Sequence, residues 1–292
     1  MSAWAWLQNP WARARFLWVV AIGYIVWSLA PVLIAVAFSF NDGRSLTAWQ
    51  GFSTQWYCCG VSSLWEDVEL RSALFQSLKL ASLVTAIAVP FGVAFALALH
   101  RWRGGIATGA NFAMLLSFIT PEIAIGVALL LFFTQLVNGI GLGFGAQVGG
   151  LSMFMMPYAL IVVRARLLTI DPGYEEAAMD LGASPIQALR RVALPLLGPA
   201  IVASAAIVFA ASLDNFVISQ LLSSGAGTQT IPILIYTSAR RGPLPSVNAL
   251  ASLTLVASTA MIVVAALAIR GWTRRERRVG AADLLRAQVG PT

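Results

Sequence analysis

Two carboxylates lie in stretches of the chain that are otherwise apolar. Glu122 falls within the apolar run Ile106–Leu136, and Asp214 falls within the run Gly198–Leu222. An ionised side chain at the centre of a membrane helix costs roughly 2.5–3.5 kcal/mol on insertion scales, so such residues face a bundle interior or a wet cavity. No spanning run offers a lysine or arginine near its middle. The partner of each carboxylate is therefore a cationic substrate, a residue of another subunit or a proton; alternatively, a protonated or water-bridged carboxyl only fastens helices together.

Catalytic motifs are absent from the sequence. It contains no GxxxxGK[ST] phosphate-binding loop, no HExxH and no GxSxG, and its single histidine leaves little for a nucleophile–base pair. The two cysteines, Cys58 and Cys59, are adjacent, which gives no metal-ligand spacing. A bond between neighbouring cysteines is strained, so we expect two free thiols or an intermolecular partner. We predict that the chain is not an enzyme and holds no metal.

The composition is that of a membrane protein with several spans. Hydrophobic residues make up 59% of the chain and charged residues 11%, whereas a soluble domain has about 25% charged residues. A helix needs about 20 apolar residues to cross a bilayer. The sequence therefore predicts an all-α integral membrane protein with six transmembrane helices between residues 16 and 270. The predicted spans are Phe16–Phe40, Ser77–Leu99, Ile106–Leu136, Gly149–Leu168, Gly198–Leu222 and Asn248–Ile269.

Proline and arginine residues refine this picture. The third predicted span is overlong, and Pro121 in its middle predicts a kink or a break. Arginines are enriched on the cytoplasmic side of membrane proteins. With both termini in the cytoplasm, the segment 1–15 and the Arg-rich tail 271–292 are cytoplasmic, and four arginines face outwards: Arg44, Arg71, Arg240 and Arg241. Fourteen arginines then face the cytoplasm: Arg13, Arg15, Arg101, Arg103, Arg164, Arg166, Arg190, Arg191, Arg270, Arg274, Arg275, Arg277, Arg278 and Arg286.

A polar segment, Asp171–Pro195, separates the fourth and fifth spans and is cytoplasmic in this orientation. Its first half predicts a short helix that Asp171 caps, with Pro172 at the first helical position and Gly182 as the stop. We expect this element to lie at the membrane surface, because its charged residues cannot sit in hydrocarbon.

The second half of the segment predicts another short helix. Ser184 caps it, Pro185 takes its first position and Pro195 ends it. An apolar stripe at helical spacing predicts a surface that docks against a partner. The stripe consists of Ile186, Leu189 and Val192.

This loop resembles the signature of ABC-importer permeases, which is Glu-Ala-Ala, three residues, glycine, nine residues and Ile/Val-x-Leu-Pro. The full spacing is kept in Glu176-Ala177-Ala178, Gly182 and Val192-Ala193-Leu194-Pro195. Within that superfamily, the sequence is most similar to the second permease subunit of spermidine/putrescine importers, and the similarity covers about residues 70 to 270. It is carried by Glu175–Pro185, Ser212–Ser219 and Pro245–Leu255. Such relatives tend to have two consecutive acids where this chain has Asp214-Asn215.

The resemblance implies a cytoplasmic coupling-helix loop between the fourth and fifth spans that contacts a separate ATPase. The implied contact residues are Glu176, Ala177, Ala178, Gly182, Ser184, Pro185, Leu189, Leu194 and Pro195. The implied partners are an ATPase dimer, a second permease subunit that makes a heterodimer, and an extracytoplasmic substrate-binding protein, in the bacterial inner membrane with its lipids and without nucleic acid. ATP and Mg²⁺ belong to the ATPase, and this chain carries no cofactor. Substrate ammonium groups would meet Glu122, Asp214, Asn215 and Tyr236.

Two alternatives remain open from the sequence. The same kind of permease could carry another small solute, such as a phosphonate or ferric ion. An anion would require arginines or helix N-termini at mid-depth, whereas a ferric ion is compatible with carboxylate ligands. A stand-alone secondary carrier or channel could use the two acids as a relay. Such a carrier has no ATPase to engage, so the docking surface argues against it.

Overall fold

The structure is a computed structural model that describes residues 15–45, 48–58, 60, 62–102, 104–136, 141–241 and 245–288. In these residues the regular structure is helical, apart from one isolated bridge between Asn41 and Phe52. The predicted all-α fold is therefore confirmed. The helices are α1 (Arg15–Phe38), α2 (Gln55–Cys58), α3 (Val68–Arg101), α4 (Gly105–Ile119), α5 (Glu122–Leu131), α6 (Phe144–Leu167), α7 (Gly173–Asp180), α8 (Pro185–Ala188), α9 (Leu194–Leu213), α10 (Val217–Leu221), α11 (Ile231–Arg241) and α12 (Pro245–Gln288).

Five helices in the described part of the chain are long and apolar enough to cross a membrane, and a broken pair makes a possible sixth. The pair is Thr108–Ile119 and Glu122–Leu136, which meet at 107°. The predicted break at Pro121 is thus confirmed. Its cause is local, because proline has no N–H to donate and disfavours helical geometry in the preceding residue.

The second span begins earlier than the predicted Ser77. Asp67 caps α3 by accepting hydrogen bonds from the N–H groups of Glu69 and Leu70, so the helix begins at Val68. Glu69 lies in the first turn, where the positive end of the helix dipole stabilises it. The prediction missed this extension because it followed hydropathy and ignored the cap.

The last two spans also differ from their predicted bounds. The fifth was predicted to run to Leu222, but α9 ends at Leu213 and leaves Asp214 at its C-cap. The sixth was predicted to end at Ile269, but α12 continues to Gln288. Helical propensity continues past the hydrocarbon boundary, whereas hydropathy does not, so hydropathy underestimates this helix.

Helices α3, α6 and α9 form the centre of the bundle. Gly92 of α3 lies so close to α6 that an added Cβ would be 2.6 Å from the Cβ of Ala159 and 3.0 Å from the carbonyl oxygen of Met156. Small residues allow membrane helices to approach in this way, because packing rather than the hydrophobic effect joins them. Helix α1, by contrast, packs mainly on α12, and the apolar window of its span has no buried residue.

The segment between α1 and α3 is folded against the end of α1. The indole nitrogen of Trp56 is buried and donates to the carbonyl oxygen of Asn41 at 2.6 Å. Cys58 forms a disulfide within this chain. The expectation of a free thiol or an intermolecular partner is therefore wrong for this residue. Cys59 lies outside the described residues.

Candidate transport site

Glu122 lies at the break in the third span. Helix α4 ends at Ile119, and both Thr120 and Pro121 are extended, with ψ angles of 128° and 132°. Glu122 is the first residue of α5, where the helix dipole favours negative charge. The break thus places a half-buried carboxylate at a helix N-terminus inside an otherwise apolar span.

Asn215 lies at a second break, between α9 and α10, and contacts the first one. Its side chain is buried, and its Nδ2 donates to Oε1 of Glu122 at 2.5 Å. Its Oδ1 accepts from the N–H of Ser219 at 3.3 Å, which ties it to α10. The two residues are 93 positions apart in sequence. The fold therefore joins the two helix breaks through one carboxylate–amide hydrogen bond.

Close packing holds the two breaks together. A Cβ at Gly126 of α5 would be 2.6 Å from Cδ1 of Leu221 in α10. A side chain at this position would have to displace the end of Leu221. Glu122 is one helical turn from Gly126, so this contact between α5 and α10 lies close to the carboxylate.

Asp214 has different surroundings from Glu122. It is exposed and lines a cavity of about 410 Å³ that α1, α11 and α12 complete. No hydrogen bond or ion pair joins its carboxylate to another described residue. Glu122, Asn215 and Tyr236 do not line this cavity. The structure thus joins Glu122 to Asn215 and places Asp214 apart from them.

The side chain of Tyr236 contacts Phe216 and Arg240. Its ring packs on Phe216, with centroids 4.8 Å apart, and its hydroxyl accepts from the guanidinium of Arg240 at 2.5 Å. The guanidinium also lies 4.8 Å from the ring centroid. Phe216 directly follows Asn215, so Tyr236 lies next to the second break but makes no hydrogen bond to Glu122 or Asp214.

Gln147 is a residue of this site that the sequence reasoning missed. It is fully buried in α6, and its Nε2 donates to the carbonyl oxygens of Ser219 at 2.8 Å and Thr228 at 3.0 Å. Its Oε1 accepts from Gln76 at 3.4 Å. A buried amide among apolar residues is itself a signal. The predicted fourth span began at Gly149, so Gln147 was placed outside the membrane.

The first helix of the loop Asp171–Pro195 forms nearly as predicted. Oδ1 of Asp171 accepts from the N–H of Gly173 at 2.9 Å, and the helix begins at Gly173 rather than at Pro172. Gly182 ends it with a φ of +89°, a conformation that glycine adopts without strain. Local sequence therefore determines both ends.

The second helix of the loop begins as predicted and then differs. Ser184 and Gln187 form a reciprocal capping box, and Pro185 takes the first position. The helix does not end at Pro195, because α8 continues through a π-helical segment, Leu189–Ala193, into α9. The wider π turn makes room for the ring of Pro195 and tolerates the absence of its N–H, so the helix continues through the proline. Pro185–Leu213 is consequently one continuous span.

An ion pair attaches the loop to the membrane helices. The guanidinium of Arg101, at the end of α3, lies 2.6 Å from Oε2 of Glu175 in α7. Two apolar side chains of the loop face outwards instead, since Leu181 is 90% exposed and Ile186 is 69% exposed. Glu176 and Ala177 are exposed as well. The loop is thus fixed on one side and presents a mixed apolar and acidic surface on the other.

The chain matches the protein family described as "Binding-protein-dependent transport system inner membrane component" over residues 88–278. It belongs to this family. Among curated relatives, the putrescine transport system permease protein PotI of Escherichia coli K12 is 34% identical over 258 residues, which cover 85% of this chain and 87% of that protein. The spermidine/putrescine transport system permease protein PotC of the same strain is 35% identical over 247 residues, covering 84% and 90%. These relatives confirm the expectation of a transport permease rather than an enzyme.

A solved structure supports the permease fold independently. A bacterial ABC transporter that imports the acidic polysaccharide alginate contains a chain that superposes with a TM-score of 0.69 at 19% identity. The match covers 88% of this permease and 96% of that chain. The family match, the permease relatives and the membrane-length helices together identify a multi-pass inner-membrane protein, as the sequence predicted.

Proposed function

We propose that this permease is one membrane subunit of an ATP-driven importer for a small organic cation, with a polyamine such as putrescine or spermidine as the substrate. The polyamine relatives support the substrate class. The observation that carries the proposal is the Glu122–Asn215 pair at the contact of two broken helices. Broken membrane helices are recurrent sites of ion and substrate binding in transporters.

The geometry of the pair suits an ammonium group. Asn215 occupies Oε1 of Glu122, while Oε2 has no hydrogen-bond partner among the described residues. Oε2 is therefore an acceptor for a cationic donor. In apolar surroundings the attraction of opposite charges is stronger than in water. Tyr236 lies near the second break, but its ring already contacts Phe216 and the guanidinium of Arg240, so a substrate ammonium would have to displace that guanidinium to reach the ring.

Coupling to ATP follows from the continuous helix Pro185–Leu213. Its cytoplasmic end carries the exposed Ile186, and its other end carries Asp214. A separate ATPase that binds the loop surface around Leu181 and Ile186 moves this helix as one body. Movement of the loop thereby reaches the helix break beside Glu122. ATP and Mg²⁺ are bound by that ATPase, and this chain needs no cofactor.

The complete importer has further subunits in this proposal. A second permease supplies the other half of the path, an ATPase dimer binds the two loops, and an extracytoplasmic binding protein delivers the substrate. The arginine distribution supports cytoplasmic termini.

Uptake by the reconstituted importer tests the proposed substrate and site. We expect ATP-dependent uptake of labelled putrescine or spermidine, and we expect Glu122→Gln to raise KM about 10- to 100-fold. That range corresponds to the loss of one charge-assisted hydrogen bond, about 1.5–3 kcal/mol. Glu122→Asp, which keeps the charge, is the matched control and should lose less.

Three results would each contradict a part of the proposal. Unimpaired uptake by Glu122→Gln would exclude the carboxylate from the path. Uptake that follows a proton gradient without ATP would instead favour the secondary carrier considered above. Uptake of a phosphonate or ferric ion in place of polyamines would retain the permease class and replace the substrate.

A further inference from the structure

The cavity beside Asp214 is formed entirely by this chain. The Val32–Val36 stretch of α1, the first turns of α11 and residues 251–258 of α12 surround it. Among the described residues that line it, Asp214 carries the only charge. Its carboxylate has no hydrogen-bond or ion-pair partner among the described residues, which leaves it available to a cation.

The hydroxyl groups that line this cavity are arranged as acceptors. Ser252 donates its proton to the carbonyl oxygen of Asn248 at 2.8 Å, and Thr254 donates to that of Leu250 at 2.9 Å. Their oxygen lone pairs remain free to accept. Ser258 also lines the cavity, although its Oγ is buried and has no hydrogen-bond partner. The carboxylate of Asp214 and the hydroxyl oxygens of Ser252 and Thr254 are acceptors, which suits a ligand that is both cationic and a hydrogen-bond donor.

The apolar walls of the cavity limit which kind of cation can bind there. Its remaining lining is apolar, including Val36, Ile235 and Leu255. Divalent metal ions need about six oxygen ligands, more than one carboxylate and a few hydroxyl groups in otherwise apolar walls supply. A primary ammonium group on an alkyl chain matches both parts, because its N–H groups reach the acceptors and its methylenes contact the apolar wall.

We infer that the Asp214 cavity is a second cation site, separate from the Glu122–Asn215 pair, which binds one primary alkylammonium group. This inference rests on the proposed function, since it assigns one end of the transported polyamine, or an earlier position of it, to this cavity. The site lies at the end of the continuous helix Pro185–Leu213, so its occupancy and the position of that helix are linked.

Direct binding of n-butylamine to the assembled importer without ATP tests the inference by calorimetry. Asp214→Asn should weaken binding at the cavity site about 10- to 100-fold, the factor expected for one charge-assisted hydrogen bond. Asp214→Glu should bind within severalfold of wild type. Ala251→Leu keeps the charge and fills the cavity, so it should weaken n-butylamine more than methylammonium, which has no chain to accommodate.

The Glu122→Gln variant separates the two sites. The wild-type importer should bind n-butylamine at two sites, of which Glu122→Gln keeps the one at Asp214 and Asp214→Asn keeps the one at Glu122. If either substitution alone removes all n-butylamine binding, there is one shared site and the inference is wrong. Equal binding by wild type and Asp214→Asn, together with intact polyamine uptake, would overturn the inference and leave the proposed function standing. Asp214-dependent binding without polyamine uptake would refute the proposed substrate and retain the site.

Discussion

Replacement of Gln147 by leucine should loosen the transport site without touching the proposed substrate. The leucine fills a similar volume but removes both donors to the carbonyl oxygens of Ser219 and Thr228. Hydrogen bonds between membrane helices average about 0.6 kcal/mol and reach about 1.7 kcal/mol. For two such bonds we expect a loss of about 1–3 kcal/mol in stability.

The functional effect follows from the position of Ser219. Its N–H donates to Oδ1 of Asn215, whose Nδ2 holds Glu122. When Gln147 no longer fixes Ser219, Asn215 and Glu122 lose their defined geometry. We expect Gln147→Leu to raise the KM of substrate uptake up to about tenfold, since about 1.4 kcal/mol corresponds to a factor of ten.

Two measurements check this prediction against a matched control. Thermal unfolding of the purified importer, followed by tryptophan fluorescence, reports stability, and labelled uptake reports KM. Gln220→Leu is the control, because Gln220 lies on α10 beside Ser219 and its side chain is exposed. If Gln147→Leu unfolds and transports like wild type, its hydrogen bonds do not position the site and this reasoning is wrong.

The remaining predictions concern packing and coupling. Gly92→Ala should destabilise the importer by about 1–3 kcal/mol, because the new Cβ would lie 2.6 Å from Ala159; Gly109→Ala, which meets nothing within 4 Å, is the control in the same unfolding assay. Equal melting temperatures for the two variants would show that α3 and α6 move apart to admit the new methyl group without a loss of stability. Leu181→Asp should abolish capture of the ATPase by the tagged permease, because it charges the most exposed apolar residue of the loop; Leu168→Asp, exposed just before the loop, should retain it. Retention by both would place the ATPase elsewhere.

Local features of the fold were accessible from the sequence because their causes are local. Ser184 and Pro185 start a helix, Gly182 ends one and Pro121 breaks one, each through the backbone of its immediate neighbours. The single exception among these signals is Pro195, which was expected to end a helix. A π-helical turn directly before it, Leu189–Ala193, accommodates the ring. Neither hydropathy nor helix propensity distinguishes a π turn from an ordinary α-helical turn in these residues.

The end of the fifth span shows why hydropathy alone fails at the site. Leu213 and Val217 both continue an apolar run, so an average over about 20 residues passes across Asp214 and Asn215 without a break. The helix ends there in the structure, and the side chain of Asn215 bonds to Glu122 in another broken helix. That contact depends on how α5 and α10 pack, which no local pattern encodes.

The sequence by itself determined that the chain crosses a membrane several times, that its polar loop resembles those that engage an ATPase, and that two carboxylates lie where charge is costly. These conclusions depend on composition and on spacing within single segments. Only the tertiary structure decided that Glu122 pairs with Asn215 while Asp214 faces a separate cavity. The physical reason is that side chains 93 positions apart meet only when helix packing brings their segments together.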